Sequence, residues 1–182
     1  LRCIVRGFVV VSFGEFAHPR VLDVWRLGEG QMCIRYSCYL VIFGGTGDLA
    51  RRKILRGLFR RCCAGQMPDR SQIIGAARGE LDDARYRTLI AEAIIEFAKP
   101  AVEDQGQIEG FLKHLAFVSV DAKGTRGWDA LRSLLRDAVV RAFYFSVAPA
   151  LFGELAEPLH SSGLVVNNSR VVVRHQVGRD HV

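Results

Sequence analysis

Residues 39–63 constrain this chain more than any other stretch. Tyr39–Phe43 is a short apolar run, Gly44-Gly45-Thr46-Gly47 is a glycine turn, and Asp48 opens an amphipathic segment reaching about Cys63. Five apolar residues closed by glycines are expected as a strand buried on both faces, as in a parallel sheet covered by helices. After the turn, Ala50, Ile54, Leu58 and Cys62 recur every four residues, with Leu55 and Phe59 beside them. That is the stripe of a helix lying on a sheet. Arg52, Lys53, Arg56 and Arg60 fall on the opposite, wet side. Arg51 does not. At ~100° per residue it projects from the inner half of the first turn, where a cation beside a helix N-terminus calls for an anion.

The rest of the chain alternates in the same way. Gln72–Ala77 reads as a second strand. Leu81-Asp82-Asp83 starts a helix with a carboxylate at its positive end, and Tyr86, Leu89, Ile90, Ala93, Ile94 and Phe97 form its apolar stripe before Pro100. Leu115–Val120 is a third strand ending at Asp121. Trp128, Leu131, Leu135 and Ala138 mark a further helix. Ala142–Val147 is a fourth strand, and Pro149 leads into a helix through Leu155 that Pro158 is expected to stop or kink. Val171–Val173 reads either as a last short strand or, with Leu164–Val166, as one arm of a hairpin. Strands alternating with helices imply an α/β fold, a doubly wound and mostly parallel sheet of Rossmann type over residues 39–182. Residues 1–38 hold no sustained period of 2 or 3.6 and read as an irregular N-terminal extension, or as a translated leader never selected to fold.

Composition narrows the classes further. With 182 residues, 49% hydrophobic and 24% charged, the chain is long enough and apolar enough for one domain with a core. No apolar stretch approaches the ~20 residues of a membrane span, so no membrane role is expected. The five cysteines are odd in number, two are adjacent, and none forms a C-x-x-C pair; the five histidines show no ligand spacing. Reduced thiols, a cytoplasmic location and no metal site are the expectations. Net charge is +6, and 21 of the 25 basic residues are Arg. Arg is the better bidentate partner for phosphate. The basic residues are spread along the chain without interleaved aromatics, so nucleic acid is not the expected partner.

A strand, a glycine turn and a helix together form the arrangement that binds a pyrophosphate. Gly44 allows the tight turn, Gly47 lets the backbone approach a ligand, and the free amides of the helix start face its oxygens. A Walker loop fits worse, because Asp48 and Leu49 follow Gly47 where it needs Lys and Ser or Thr. A short-chain dehydrogenase also fits worse, because no tyrosine has a lysine four positions on. The second strand then separates the coenzymes. An NAD site places an acid at its end to accept from the ribose 2′-hydroxyl, whereas this strand runs Ile73-Ile74-Gly75-Ala76-Ala77-Arg78. Arg pairs with a 2′-phosphate, so NADP is expected, with Glu80 a modest counter-signal.

Val41-Ile42-Phe43-Gly44-Gly45-Thr46-Gly47-Asp48-Leu49-Ala50-Arg51-Arg52-Lys53 resembles the coenzyme fingerprint of the glucose-6-phosphate dehydrogenase family. Ile74–Arg78 resembles its second strand, and Phe143–Pro149 its fourth strand with the proline that follows. The likeness covers about Tyr39 to His181. It implies NADP-dependent oxidation of glucose 6-phosphate to the phosphogluconolactone, in the pentose phosphate pathway. It also implies that Gly44, Gly45, Thr46, Gly47, Asp48, Leu49, Ala50 and Arg51 cradle the pyrophosphate and that Arg78 contacts the 2′-phosphate. Asp121 is expected near the coenzyme, and Phe152 matches a position that is aromatic in some members.

The departures bear on activity. The family's Glu-Lys-Pro-x-Gly motif corresponds here to Arg174, His175, Gln176, Val177 and Gly178, with Asp180 still in step. Arg56 stands where the family commonly has proline. The family's general base and sugar-phosphate ligands lie downstream of the matched region, so no catalytic residue is assigned. The chain is expected to hold the coenzyme-binding part, to be inactive alone, and to self-associate through a surface that would otherwise meet a substrate domain. Glucose 6-phosphate is then a partner only of the complete enzyme. The alternatives are a non-catalytic nucleotide-binding or interaction module, or a decayed gene fragment.

Overall fold

The apolar run ending at Phe43 is the hub of a seven-stranded sheet. The computed structural model describes residues 4–5, 8–13, 38–101, 104–136, 140–166 and 169–174. Its strands are β1 (Ile4–Val5), β2 (Phe8–Phe13), β3 (Cys38–Phe43), β4 (Gln72–Ala77), β5 (Leu115–Ser119), β6 (Val140–Phe145) and β7 (Ser169–Arg174). They lie in the order β1-β2-β7-β6-β3-β4-β5. All neighbours are parallel except β1 and β2. All six residues of β3 are buried, as expected of a strand with a neighbour on each edge and helices on both faces.

The helices explain why both faces are dry. α1 begins at Asp48, is wound as a π-helix over Ala50–Leu55, and continues as an α-helix over Arg56–Cys63. α2 (Asp83–Ala93, extended through Ile94–Ala98) and α3 (Gln107–Leu112) share its side of the sheet. Leu40, Ile42, Ile73, Phe117 and Tyr144 meet Leu55, Leu58, Phe59, Tyr86, Ile90 and Phe111 there. Tyr39, Val41, Phe43, Ile74 and Phe143, one residue out of step along the strands, point the other way. They meet α4 (Trp128–Leu134) through Trp128 and Leu131, and α5 (Phe152–Ser161) through Leu155 and Leu159.

Several expectations change. Phe8–Phe13, read as part of an irregular extension, pairs in parallel with β7, with Val10 opposite Val171. The hairpin reading of residues 164–173 is excluded: β7 pairs in parallel with β6 and β2. β6 spans Val140–Phe145, starting and ending two residues before the expected Ala142–Val147, and the Ser146 amide adds one further bond to the Phe43 carbonyl at 2.8 Å. α3 has no counterpart in the sequence reading. Pro158 does not stop its helix, which runs on to Ser161. Leu155 and Leu159 lie one turn apart and fully inside, and two such burials at ~1.5–3 kcal/mol each outweigh the ~3 kcal/mol of an interior proline. Ala138 lies outside the described residues.

Topology places the site. From β3 the chain winds outward through β4 to β5, then crosses back to β6 and β7 on the other side. The crevice beyond the carboxyl ends of β3 and β6 is therefore the switch point where open α/β sheets hold ligands.

Candidate functional site

The glycine turn sits at that switch point, and sterics explain its composition. Gly44 has φ of 78°, a left-handed conformation, and an added Cβ would overlap the carbonyl oxygen of Ser146. At Gly45 a Cβ would stand 2.7 Å from the Cα of Gly75, so the turn rests on the β4 backbone. The amides of Gly44 and Gly45 both donate to the Ala76 carbonyl, at 2.8 and 3.2 Å. The Gly47 amide donates to Gly44 at 2.9 Å, and Arg51 to Gly47 at 3.1 Å, the first bond of α1. The amides of Asp48, Leu49 and Ala50 precede that bond, where a helix leaves its donors without internal partners. Asp48 does not fold back to cap them: its carboxylate pairs with Arg52, whose guanidinium also lies over the Phe97 ring at 4.6 Å.

Two polar atoms beside the turn lack a partner. Arg51 is half-buried, as its angular position predicts, and its Nε is buried without an acceptor. The Ser146 hydroxyl, just after β6, is buried in the same condition. A buried donor left unpaired costs about 1–3 kcal/mol, so both atoms fit a ligand that brings oxygens. A pyrophosphate over the turn matches that donor set: backbone amides, a guanidinium and a hydroxyl.

The remaining residues are spread along the same carboxyl edge. Arg78 follows β4 directly and is exposed; among the described residues its guanidinium has no carboxylate partner. Glu80 is engaged instead by Arg126, at 3.2 Å. Asp121 lies beyond β5, two strands from β3 and hence roughly 10 Å across the sheet. Its carboxylate accepts the Lys123 amide at 3.1 Å, and its carbonyl accepts the Trp128 indole at 3.1 Å. In the structure it shapes the β5–α4 loop. Phe152 opens α5 and packs on Phe145, with ring centroids 5.7 Å apart. His175, Gln176, Gly178 and Asp180 lie outside the described residues.

Tyr86 belongs to the site in a way its helical spacing concealed. Read as one more core position of α2, it is fully buried and donates its hydroxyl to the Gly45 carbonyl at 3.4 Å. Burial pushes its phenol pKa well up. Glycine in the middle of buried β4 was the available signal that another group comes close there. Among the described residues, no three His, Cys, Asp or Glu side chains gather as metal ligands, and no helix is long and apolar enough to cross a membrane.

Residues 41–182 match the family described as "Glucose-6-phosphate dehydrogenase, NAD binding domain". The chain belongs to this family. Its relatives include glucose-6-phosphate 1-dehydrogenases of Rhizobium meliloti, 42% identical over 142 residues, and of Mycolicibacterium smegmatis, 40% identical over 149 residues. These alignments cover 77% and 79% of this chain but only 29% and 30% of the relatives. The chain thus spans about 30% of the length of the curated relatives it matches. Among solved structures, the glucose-6-phosphate 1-dehydrogenase of Mycobacterium avium superposes with a TM-score of 0.68 at 27% identity, over 76% of this chain and 29% of that one. A glucose-6-phosphate dehydrogenase in complex with glucose 6-phosphate superposes with a TM-score of 0.65 at 23% identity, over 75% of this chain and 29% of that one; this likeness bears on the fold alone. Family membership agrees with the resemblance carried by Val41–Lys53 and with the Rossmann-type parallel sheet.

Proposed function

We propose that this chain binds NADP across the carboxyl edge of the sheet. We further propose that it serves as the coenzyme-binding part of a glucose-6-phosphate dehydrogenase, which oxidises glucose 6-phosphate to the lactone. The observation that carries the reading is the unpartnered, buried Nε of Arg51 beside a turn that admits no Cβ at Gly44. In this reading the amides of Thr46, Asp48, Leu49 and Ala50 and the Arg51 guanidinium hold the pyrophosphate, with Ser146 donating from the β6 side. Arg78, which has no carboxylate partner among the described residues, takes the 2′-phosphate. Asp121 stands at the adenosine side of the cleft and keeps the loop that borders it in shape. The coenzyme, when bound, accepts the hydride. The residues of this chain fix where its phosphates and adenosine lie, and none of them is assigned as the base for the sugar hydroxyl.

Titration calorimetry with NADP and NAD tests the reading. NADP is expected to bind more tightly, and Arg78→Glu to abolish that preference. No binding of either coenzyme would refute it. Mixing the 182-residue chain with NADP and glucose 6-phosphate is expected to give no NADPH absorbance.

A further inference from the structure

The chain leaving β4 carries a contradictory pair: Arg78 suits a 2′-phosphate, while Glu80, two residues on, repels one. Their formal charges sum to zero, so Glu80 offsets part of the attraction that Arg78 offers a phosphate dianion. The structure brings in a third charge from 46 residues away. Arg126, on the β5–α4 loop, places Nη1 3.2 Å from the Glu80 carboxylate. Its Nη2 lies 3.4 Å from the Ser119 hydroxyl and 3.5 Å from the Arg78 carbonyl. The backbone holds it there. The Arg126 carbonyl accepts the Asp121 amide at 3.0 Å, and Gly127, at φ of 89°, lets the chain turn where a Cβ would overlap the Ser119 carbonyl.

We infer that Arg126 is a specificity-determining residue for the coenzyme: it neutralises Glu80 and presents a second guanidinium beside Arg78, so that the edge of β4 and β5 selects a 2′-phosphorylated adenosine. The inference rests on the coenzyme reading above. An exposed ion pair contributes only ~0–1 kcal/mol to folding, so stability does not explain the arrangement. The Nη2 contacts are long, and a guanidinium so loosely held can turn toward a phosphate at little cost. With Arg126 the three charges sum to +1 instead of zero.

The test uses the whole chain and four probes: NADP, NAD, adenosine 2′,5′-bisphosphate and 5′-AMP. Arg126→Ala is expected to weaken NADP and the bisphosphate on the order of tenfold, leaving NAD and 5′-AMP within about twofold. Adding Glu80→Gln to Arg126→Ala is expected to recover much of the loss, which a merely structural role for Arg126 would not allow. Equal weakening of all four probes, or no weakening, overturns the inference. Tight NADP binding that depends on Arg78 but not on Arg126 overturns this inference alone. No binding of any probe by the unsubstituted chain overturns the coenzyme reading and this inference with it. A thermal melt of each variant confirms folding, and Arg126→Gln serves as a second variant.

Discussion

The Tyr86 hydroxyl occupies the space where a side chain on Gly75 would begin: a Cβ at position 75 would overlap both the hydroxyl and the ring. That vacancy lets α2 send a hydrogen-bond donor through the sheet edge to the Gly45 carbonyl. The phosphate-side turn is therefore braced from beneath by a residue 41 positions away.

Gly75→Ala is expected to destabilise the fold by about 1–3 kcal/mol, the usual cost of overpacking a filled core. Urea unfolding should show a lower midpoint. Coenzyme affinity should fall as well, because a displaced Tyr86 no longer holds Gly45. An unchanged midpoint would show that the ring moves aside freely.

Gly44→Ala combines a left-handed backbone with a clash against the Ser146 carbonyl. Coenzyme binding is expected to be lost in calorimetry, with a stability loss of at least ~1 kcal/mol. Because a Cβ at Gly47 would meet only the Gly44 oxygen, at 3.0 Å, Gly47→Ala should cost less stability than Gly44→Ala.

Arg51→Met separates folding from binding. The substitution removes a buried Nε that has no protein partner, so the melting temperature without ligand should hold or rise. The additional stabilisation by saturating NADP should shrink, since that increment follows ligand affinity. A large loss of stability without ligand would mean that Arg51 supports the fold.

Alkaline stability should depend on Tyr86. Its folded-state pKa is raised by burial above the ordinary 10.0, so the unfolded chain ionises this phenol first. Between pH 10 and the higher folded value the native state binds more protons, and stability falls as pH rises. The contribution is fully present below pH 10. Tyr86→Phe should flatten this part of the profile, read as urea midpoints from pH 9 to 11.

Most of the framework could be read from the sequence because it depends on short-range physics. The run Tyr39–Phe43, the four-residue turn and the stripe Ala50, Ile54, Leu58 specify strand, reversal and helix from neighbours alone, and the half-buried Arg51 follows from the helical angle. Tertiary structure decided what meets at the edge. Arg126 reaches Glu80, and Tyr86 reaches Gly45, because parallel register aligns Ala77 with Ser119 and Phe43 with Ala76, and no local pattern encodes such pairings. The same holds for Phe8–Phe13, which has a place in the sheet only because β7 presents an open edge, and for Pro158, tolerated because Leu155 and Leu159 have a sheet to bury against.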